Sequence, residues 1–466
     1  MNSIAPLPVA VPLAVAAMLL MFGGFLPARV VRGSTVVAAL AETVLAGVLA
    51  HAAQSGLIVY WFGGWTPRHG VAIGVSFAID RIGAGAAALS GAIVTVGVVS
   101  ARRSFGDRPV LSYALMLTML AAMAGFCLTG DIFNLFVFYE LMAVSAFGLA
   151  AYHSASVPAL RAALNFAITN SIGAFLLLIG IALLYGRTGA LNLAQIGRQL
   201  HSGSHVDGLV VIAVTTITVG FLVKAAIMPF HFWLVDVASS APLPLVVILG
   251  GVLDALAVYA IARVYWTVFA PSLAGHAGAL RALLLTLGAV TALLGGLLSL
   301  TARGTRRVVA FVLVSHTGTL LVGVGCLSAL GIAGAAIYAV ADGAIKATLV
   351  LSIFMLEGDG KAAESGVVPV ALLVVAGLAL AGFPFLGVAL GEAVIERAAA
   401  TVAGPLIALV LIVAAVLTGA AILRIAVAAA RSRGPRVRAT GLSVAATTLA
   451  VVTIERPRRN SNSRMA

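Results

Sequence analysis

Residues 220–236 read GFLVKAAIMPFHFWLVD. They set one lysine, Lys224, in an otherwise apolar helix and follow it within about two turns by Pro229 and His231. Proline removes a backbone donor and clashes with the preceding turn, so a membrane helix must break or kink here. Broken membrane helices persist only where protein or water receives the freed backbone groups. An ammonium beside such a break points to a hydrated interior site, because a buried charge otherwise costs several kcal/mol or gives up its proton. This pattern suits a proton carrier.

The rest of the chain supports a membrane setting. Of its 466 residues 62% are hydrophobic and 9% charged, with a mean hydropathy of +1.15, which fits no soluble globular class. The net charge of +13 is spread over short loops between apolar runs rather than over one basic face, so it reads as topogenic charge and not as a nucleic-acid surface. Two cysteines, Cys127 and Cys326, both in apolar runs, exclude a disulfide framework, a thiolate zinc site and an iron–sulfur motif. No metal or other cofactor is expected, and redox chemistry would belong to partner subunits. The first apolar run lacks a basic n-region and a clear cleavage signature and reads as a retained span.

Thirteen runs approach the roughly 20 residues needed to cross the hydrocarbon layer: 5–27, 35–62, 80–100, 110–130, 131–152, 160–185, 208–230, 242–268, 280–301, 307–329, 331–356, 367–396 and 402–424. With the N-terminus outside, Arg29 and Arg32, then Arg102, Arg103 and Arg108, then Arg303, Arg306 and Arg307, then Arg431, Arg433, Arg436 and Arg438 all fall on the cytoplasmic side. The run Leu442–Ile454 is short for a further span, and 455–466 reads as a polar tail after a single integral membrane domain over 1–454. The polar connection Gly186–Gly208 reads as a plain external loop.

A second stretch breaks the apolar pattern as Lys224 and Pro229 do. In it Gly382-Phe-Pro384 is followed by Gly387, Gly391 and Glu392. Paired interrupted segments point to an inverted-repeat transporter whose ion path runs through the discontinuous helices. Spans four to eight, about 110–268, would then form one half, and spans nine to thirteen, about 280–424, the other. The expected fold is an all-α polytopic membrane protein of about 13–14 transmembrane helices with two inverted five-helix repeats, each holding a broken helix.

Charges inside the spans are the candidate site. Glu140 has no basic residue near it in sequence, so it needs a proton or a cation from another span, and Lys224 is the obvious partner. Its bland alternative is a polar clip that only aids packing. Asp254 and Arg263 are nine apart, on opposite sides of a straight helix, so Asp254 needs a partner on another span, as part of an ion path or as a static clip. Asp342 and Lys346 are four apart, a natural intrahelical pair that is static or opens as a proton arrives. His316 could relay protons or could be a satisfied hydrogen-bonder. Asp80 and Arg81, at the start of a span, are explained by snorkelling and are not counted in the path.

GDIFNLFVFYEL, KAAIMPFHFWLVDVASSAPLP, DGAIKATLVL and AGFPFLGVALGE occur in this order within residues 70–425. Together they resemble the antiporter-like membrane subunits shared by complex I (NADH:quinone oxidoreductase), multisubunit Mrp-type sodium/proton antiporters and membrane-bound hydrogenases. The resemblance implies about fourteen helices in two inverted repeats, and Glu140 and Lys224 as a coupled pair. It further implies Lys346 and His316 on a central hydrophilic axis, and Glu392 as the terminal acid or base where other members carry lysine. Two positions depart from the pattern: Ala255, beside Asp254, stands where an eighth-span lysine is usual, and Asp342 replaces a histidine. The implied role is a proton-translocating subunit of a respiratory or hydrogenase-type complex in a prokaryotic plasma membrane. Its implied partners are other membrane subunits, the lipid bilayer and protons or sodium, with no nucleic acid. A subunit of a sodium/proton antiporter and a non-conducting assembly subunit are the alternatives.

Overall fold

The computed structural model describes residues 3–101, 104–105, 110–153, 156–202, 207–270, 272–273, 275, 277–357, 366–384 and 386–432. Arg102, Arg103, Arg108, Arg433, Arg436 and Arg438, the run Leu442–Ile454 and the tail 455–466 lie outside the described residues.

The described residues are helical nearly throughout, as an apolar environment without water demands of a backbone that must satisfy itself. The helices are α1 (Leu7–Phe22), α2 (Ala28–Ala52), α3 (Arg81–Ser100), α4 (Val110–Leu128), α5 (Ile132–Ala150) and α6 (Val157–Thr188). Next come α7 (Leu193–Ser202), α8 (Gly208–Lys224), α9 (Phe232–Ser240) and α10 (Leu243–Phe269). The rest are α11 (Ala277–Thr301), α12 (Thr305–Gly325), α13 (Ala329–Glu357), α14 (Val367–Leu380), α15 (Gly387–Ala403) and α16 (Pro405–Ser432). Among the described residues, 11 helices are long and apolar enough to cross a membrane. The chain is a multi-pass membrane protein.

Every expected run has a helical counterpart, with two corrections. The second span is Ala28–Ala52 rather than 35–62, because the apolar residues after Gly56 turn into strand β1 (Ile58–Trp61), paired antiparallel with β2 (Ser76–Ile79). An unbroken apolar run does not separate strand from helix by its pattern alone. The connection 186–208 is not a plain loop. It holds α7, whose buried face sets Gly197 against the carbonyl of Thr267, while the side chains of Asn192 and Gln195 bond Ser76 and the Ala72 amide.

Both expected breaks are present. Helix α8 stops at Lys224 and α9 starts at Phe232; α14 stops at Leu380 and α15 starts at Gly387. The two ends are built alike. Ala226 (φ 54) and Gly382 (φ 71) adopt the left-handed region, and the next amide reaches back five residues, Ile227 to Leu222 at 3.1 Å and Phe383 to Leu378 at 3.1 Å. That is the Schellman ending, which satisfies carbonyls a stopped helix would orphan. Neighbouring spans take up the remainder. The Met228 amide donates to Thr291 of α11 at 3.1 Å, the Trp233 indole donates to the Val223 carbonyl at 3.0 Å, and Thr418 of α16 lies 3.4 Å from the Leu380 carbonyl.

Helix α12 is the hub, with its side chains buried from Val308 to Gly325. It packs on α11 through Gly288, Gly295 and Gly318, where an added Cβ would meet opposing backbone at 2.9 Å or closer. Small residues of this kind let membrane helices approach backbone to backbone. On another side, Gly251 of α10 meets Gly343 of α13, whose added Cβ would lie 2.3 Å from the Gly251 carbonyl. These close approaches bring α10, α12 and α13 within side-chain hydrogen-bond reach of one another.

Candidate functional site

The six charged or titratable positions singled out in sequence fall into a pair, a cluster and one separate acid. The pair is Lys224 and Glu140, with Nζ to Oε1 at 2.7 Å. Lys224 sits in the last turn of α8, where the carbonyl end of the helix favours a cation. Its Nζ also lies 4.3 Å from the ring centroid of Tyr139, a cation–π contact. The lysine side chain is fully buried, whereas the Glu140 side chain keeps 31% exposure, so the carboxylate side of the pair faces outward from the core.

The cluster is built on α10, α12 and α13. A π-helical turn over Leu249–Leu253 precedes Asp254 and re-aims it, a common use of such turns at functional positions. Asp254 Oδ2 accepts from Thr317 at 2.7 Å and from Lys346 at 3.1 Å. Lys346 Nζ also contacts Asp342 Oδ2 at 2.7 Å, the intrahelical pair expected from the spacing. Asp342 Oδ1 in turn lies 2.8 Å from His316 Nδ1, which Tyr338 reaches at 2.6 Å, and His316 Nε2 faces Thr418 at 3.3 Å. Asp254, His316, Asp342 and Lys346 are each 5% exposed or less. Hydrogen-bonded contacts therefore run unbroken from Asp254 through Lys346, Asp342 and His316 to Thr418, which borders the end of α14 at the second break.

Glu392 stands apart. It is 5% exposed, and its carboxylate lies against Gly382, whose added Cβ would be 3.1 Å from Oε2. It has no cationic partner among the described residues. Asp254 faces the interior as its charge requires, and the partner it needs on another span is Lys346 of α13.

The structure corrects the reading of Asp80. Asp80 caps α3 by accepting from the Gly83 amide at 2.7 Å and also pairs with Arg263, which donates further to the Ala78 carbonyl. Snorkelling does not describe a carboxylate tied to a guanidinium 183 residues away. Sequence reasoning also passed over Glu42, wholly buried in α2 with both carboxylate oxygens unpartnered. A lone acid in the run AALAETVLAG was the available signal. Thr317, Tyr338 and Thr418 were missed as well, and only the polar string SHTGT around His316 hinted at the first.

A membrane-spanning helical fold interrupted twice, with a buried network of acids, lysines and a histidine beside the interruptions, defines an ion-translocator-like membrane protein. The family model described as "NADH:quinone oxidoreductase/Mrp antiporter, TM" matches residues 129–418, and the chain belongs to that family. Among relatives, a Na(+)/H(+) antiporter subunit of Bacillus subtilis is 29% identical over 363 residues, 77% of this chain and 70% of the relative. An NADH-quinone oxidoreductase subunit of Desulforudis audaxviator is 28% identical over 313 residues, 66% of this chain and 60% of the relative. In fold, the chain is similar to a chain of the Mrp complex from Dietzia sp. (TM-score 0.80, 24% identity, 91% of this chain and 80% of that one). It is similar too to a chain of the archaeal membrane-bound sulfane sulfur reductase (TM-score 0.81, 21% identity, 97% of each).

Proposed function

We propose that this chain is the proton-translocating, antiporter-like subunit of a multisubunit respiratory or hydrogenase-type complex in a prokaryotic plasma membrane, driven by redox chemistry in partner subunits. The observation that carries the proposal is the buried line of charges, in particular the 2.7 Å pair of Glu140 and Lys224 beside a helix break and the Asp254–Lys346–Asp342–His316 contacts beyond it. Buried charges of this number cost several kcal/mol each unless paired, and a merely structural bundle has no use for them.

Glu140 stabilises the Lys224 ammonium. A shift in a neighbouring subunit that draws the carboxylate away leaves a desolvated ammonium, which releases its proton toward the cluster. There two carboxylates face one lysine and one imidazole, so the cluster becomes neutral when His316 takes a proton. His316 is set between Asp342 on one nitrogen and Thr418 on the other, and it passes charge toward Glu392 at the second break. Residues 110–268 and 280–424 act as two halves related by a pseudo-twofold axis in the membrane plane. The matching Schellman endings at Ala226 and Gly382 support this arrangement.

The test is acidification by vesicles holding the whole complex, with assembly checked on a native gel. Lys224→Ala and Glu140→Gln are expected to lower pumping in an intact complex, and Lys224→Arg to block it, because a guanidinium hardly ever deprotonates. Unmodified pumping by Lys224→Arg would exclude lysine deprotonation as the step and favour a non-conducting assembly role.

A second reading, a subunit of a sodium/proton antiporter with no redox partner, is favoured by the larger share of this chain that aligns with the Bacillus subtilis relative, 77%, than with the quinone oxidoreductase relative, 66%. Proton movement driven by an imposed sodium gradient, in vesicles given no electron donor, would select it.

A further inference from the structure

Two cavities adjoin on the flank of α3, α10 and α13. The larger, about 600 Å³, lies between α7 and the end of α10, and Asp80, Arg198, His201, Arg263 and Trp266 line it. The smaller, about 230 Å³, follows α10 from Ala262 down to Val252, walled by Leu89 of α3 and Ala339 of α13, with Arg81 among its lining residues. Ile82, Tyr259, Ala262 and Ile332 belong to both, so a polar head space opens onto an apolar tail space.

Length, depth and charge define what fits. From Ala262 to Val252 the tail space covers about 15 Å of helix at 1.5 Å per residue. That is about half of a hydrocarbon core of ~30 Å, the depth of one leaflet. Trp266 and the amphipathic α7 stand at the head end, and such residues and helices belong at the membrane–water interface. Arg263 is matched by Asp80. Arg81 donates to the carbonyls of Ala53 and Gln54, and neither it nor Arg198 has a carboxylate partner among the described residues. The head space is thus cationic in excess. A helix from a neighbouring subunit, about 10–12 Å across with its side chains, is too thick for the tail space.

We infer that this groove binds an anionic glycerophospholipid, its phosphate held by Arg198 with His201 and Arg81, one acyl chain lying between α3, α10 and α13. The acyl chain covers Ala255, the neighbour of Asp254, and so seals this flank of the buried cluster against water. The inference stands on the cavity and its charges and does not depend on the direction or identity of the transported ion.

The test uses membranes containing the assembled complex and phosphatidylglycerol carrying a photoactivatable diazirine in its acyl chain, with a phosphatidylcholine probe of the same tail as the control. After illumination, adducts are mapped by peptide mass spectrometry. The phosphatidylglycerol probe is expected to label residues 252–262 and 332–340 several-fold more than the phosphatidylcholine probe. Arg198→Gln, on an exposed helix face, should bring the two probes level, and Ala336→Trp, which fills the tail space, should abolish labelling by both. Equal labelling by the two probes in the unmodified protein, labelling unchanged by Arg198→Gln, or adducts absent from both segments would each overturn the proposal, the last showing the groove to be covered by protein. If Ala336→Trp fails to assemble, Arg198→Gln alone decides.

Discussion

Lys346→Met removes the only ammonium in the α10–α12–α13 cluster and nearly keeps the side-chain volume. Its Nζ lies 2.7 Å from Asp342 and 3.1 Å from Asp254. At an effective dielectric constant near 20 those separations correspond to about 6 and 5 kcal/mol of gross attraction. Most of this is offset by the cost of desolvating a fully buried lysine, and what is left when one partner of a buried ionic group is deleted is about 3–5 kcal/mol. Lys346→Met is therefore expected to destabilise the protein by about 3–5 kcal/mol, measured as reversible unfolding in mixed micelles with increasing SDS. Adding Asp254→Asn and Asp342→Asn removes the stranded carboxylates and should recover most of that loss, because a neutral hydrogen-bonded core is about as stable as a buried ion network. Proton pumping should be lost in both variants. A loss of stability under about 1 kcal/mol for the single variant would place the ammonium in water and refute the desolvated cluster. Failure of the triple variant to recover would show that the lysine acts through packing and not through charge.

Two further outcomes follow from residues away from that cluster. An added Cβ at Gly91 would lie 1.9 Å from the buried Glu42 carboxylate and 2.4 Å from the Thr43 hydroxyl, so Gly91→Ala should cost about 1–3 kcal/mol by overpacking. Combining it with Glu42→Ala and Thr43→Ala, which removes both side-chain overlaps, should relieve most of the cost in the same unfolding assay, and no relief would mean that the Thr43 backbone amide, 3.0 Å from the added Cβ, carries the clash instead. At the outer end of α8, the Val210 amide and then Arg187 hold the Asp207 carboxyl below the usual aspartate range. A lowered folded-state value means that this cap is present above the unfolded aspartate value and is lost as pH falls through the folded one. Hydrogen exchange at the first turn of α8 should therefore stay slow through ordinary aspartate titration and quicken only in stronger acid, and Asp207→Asn, which still accepts a hydrogen bond, should flatten that dependence.

The sequence by itself determined the membrane setting, the order of the apolar runs, both breaks, and the two contacts whose geometry is local or forced. Lys224 and Pro229 in one apolar run leave a helix no continuous solution, so the break was legible from one line of residues. Asp342 and Lys346 face each other because four residues make about one helical turn. Glu140 was short of a cation and Lys224 of an anion, which suggested their pairing across 84 positions before any packing was known. Tertiary structure alone decided the rest. Lipid is as apolar as a protein core, so the faces of these helices carry little pattern to say which side turns inward. Hence Asp254 could be judged to need a partner, but that the partner is Lys346 of α13 depends on the glycine contact of Gly251 with Gly343 and on the π-helical turn before it. The union of His316 with Asp342, Tyr338 and Thr418, the tie of Arg263 to Asp80, and the seating of Glu42 on Gly91 likewise arise from backbone approach between helices distant in sequence. Charge told which residues must be satisfied; for all but those two contacts, packing determined by whom.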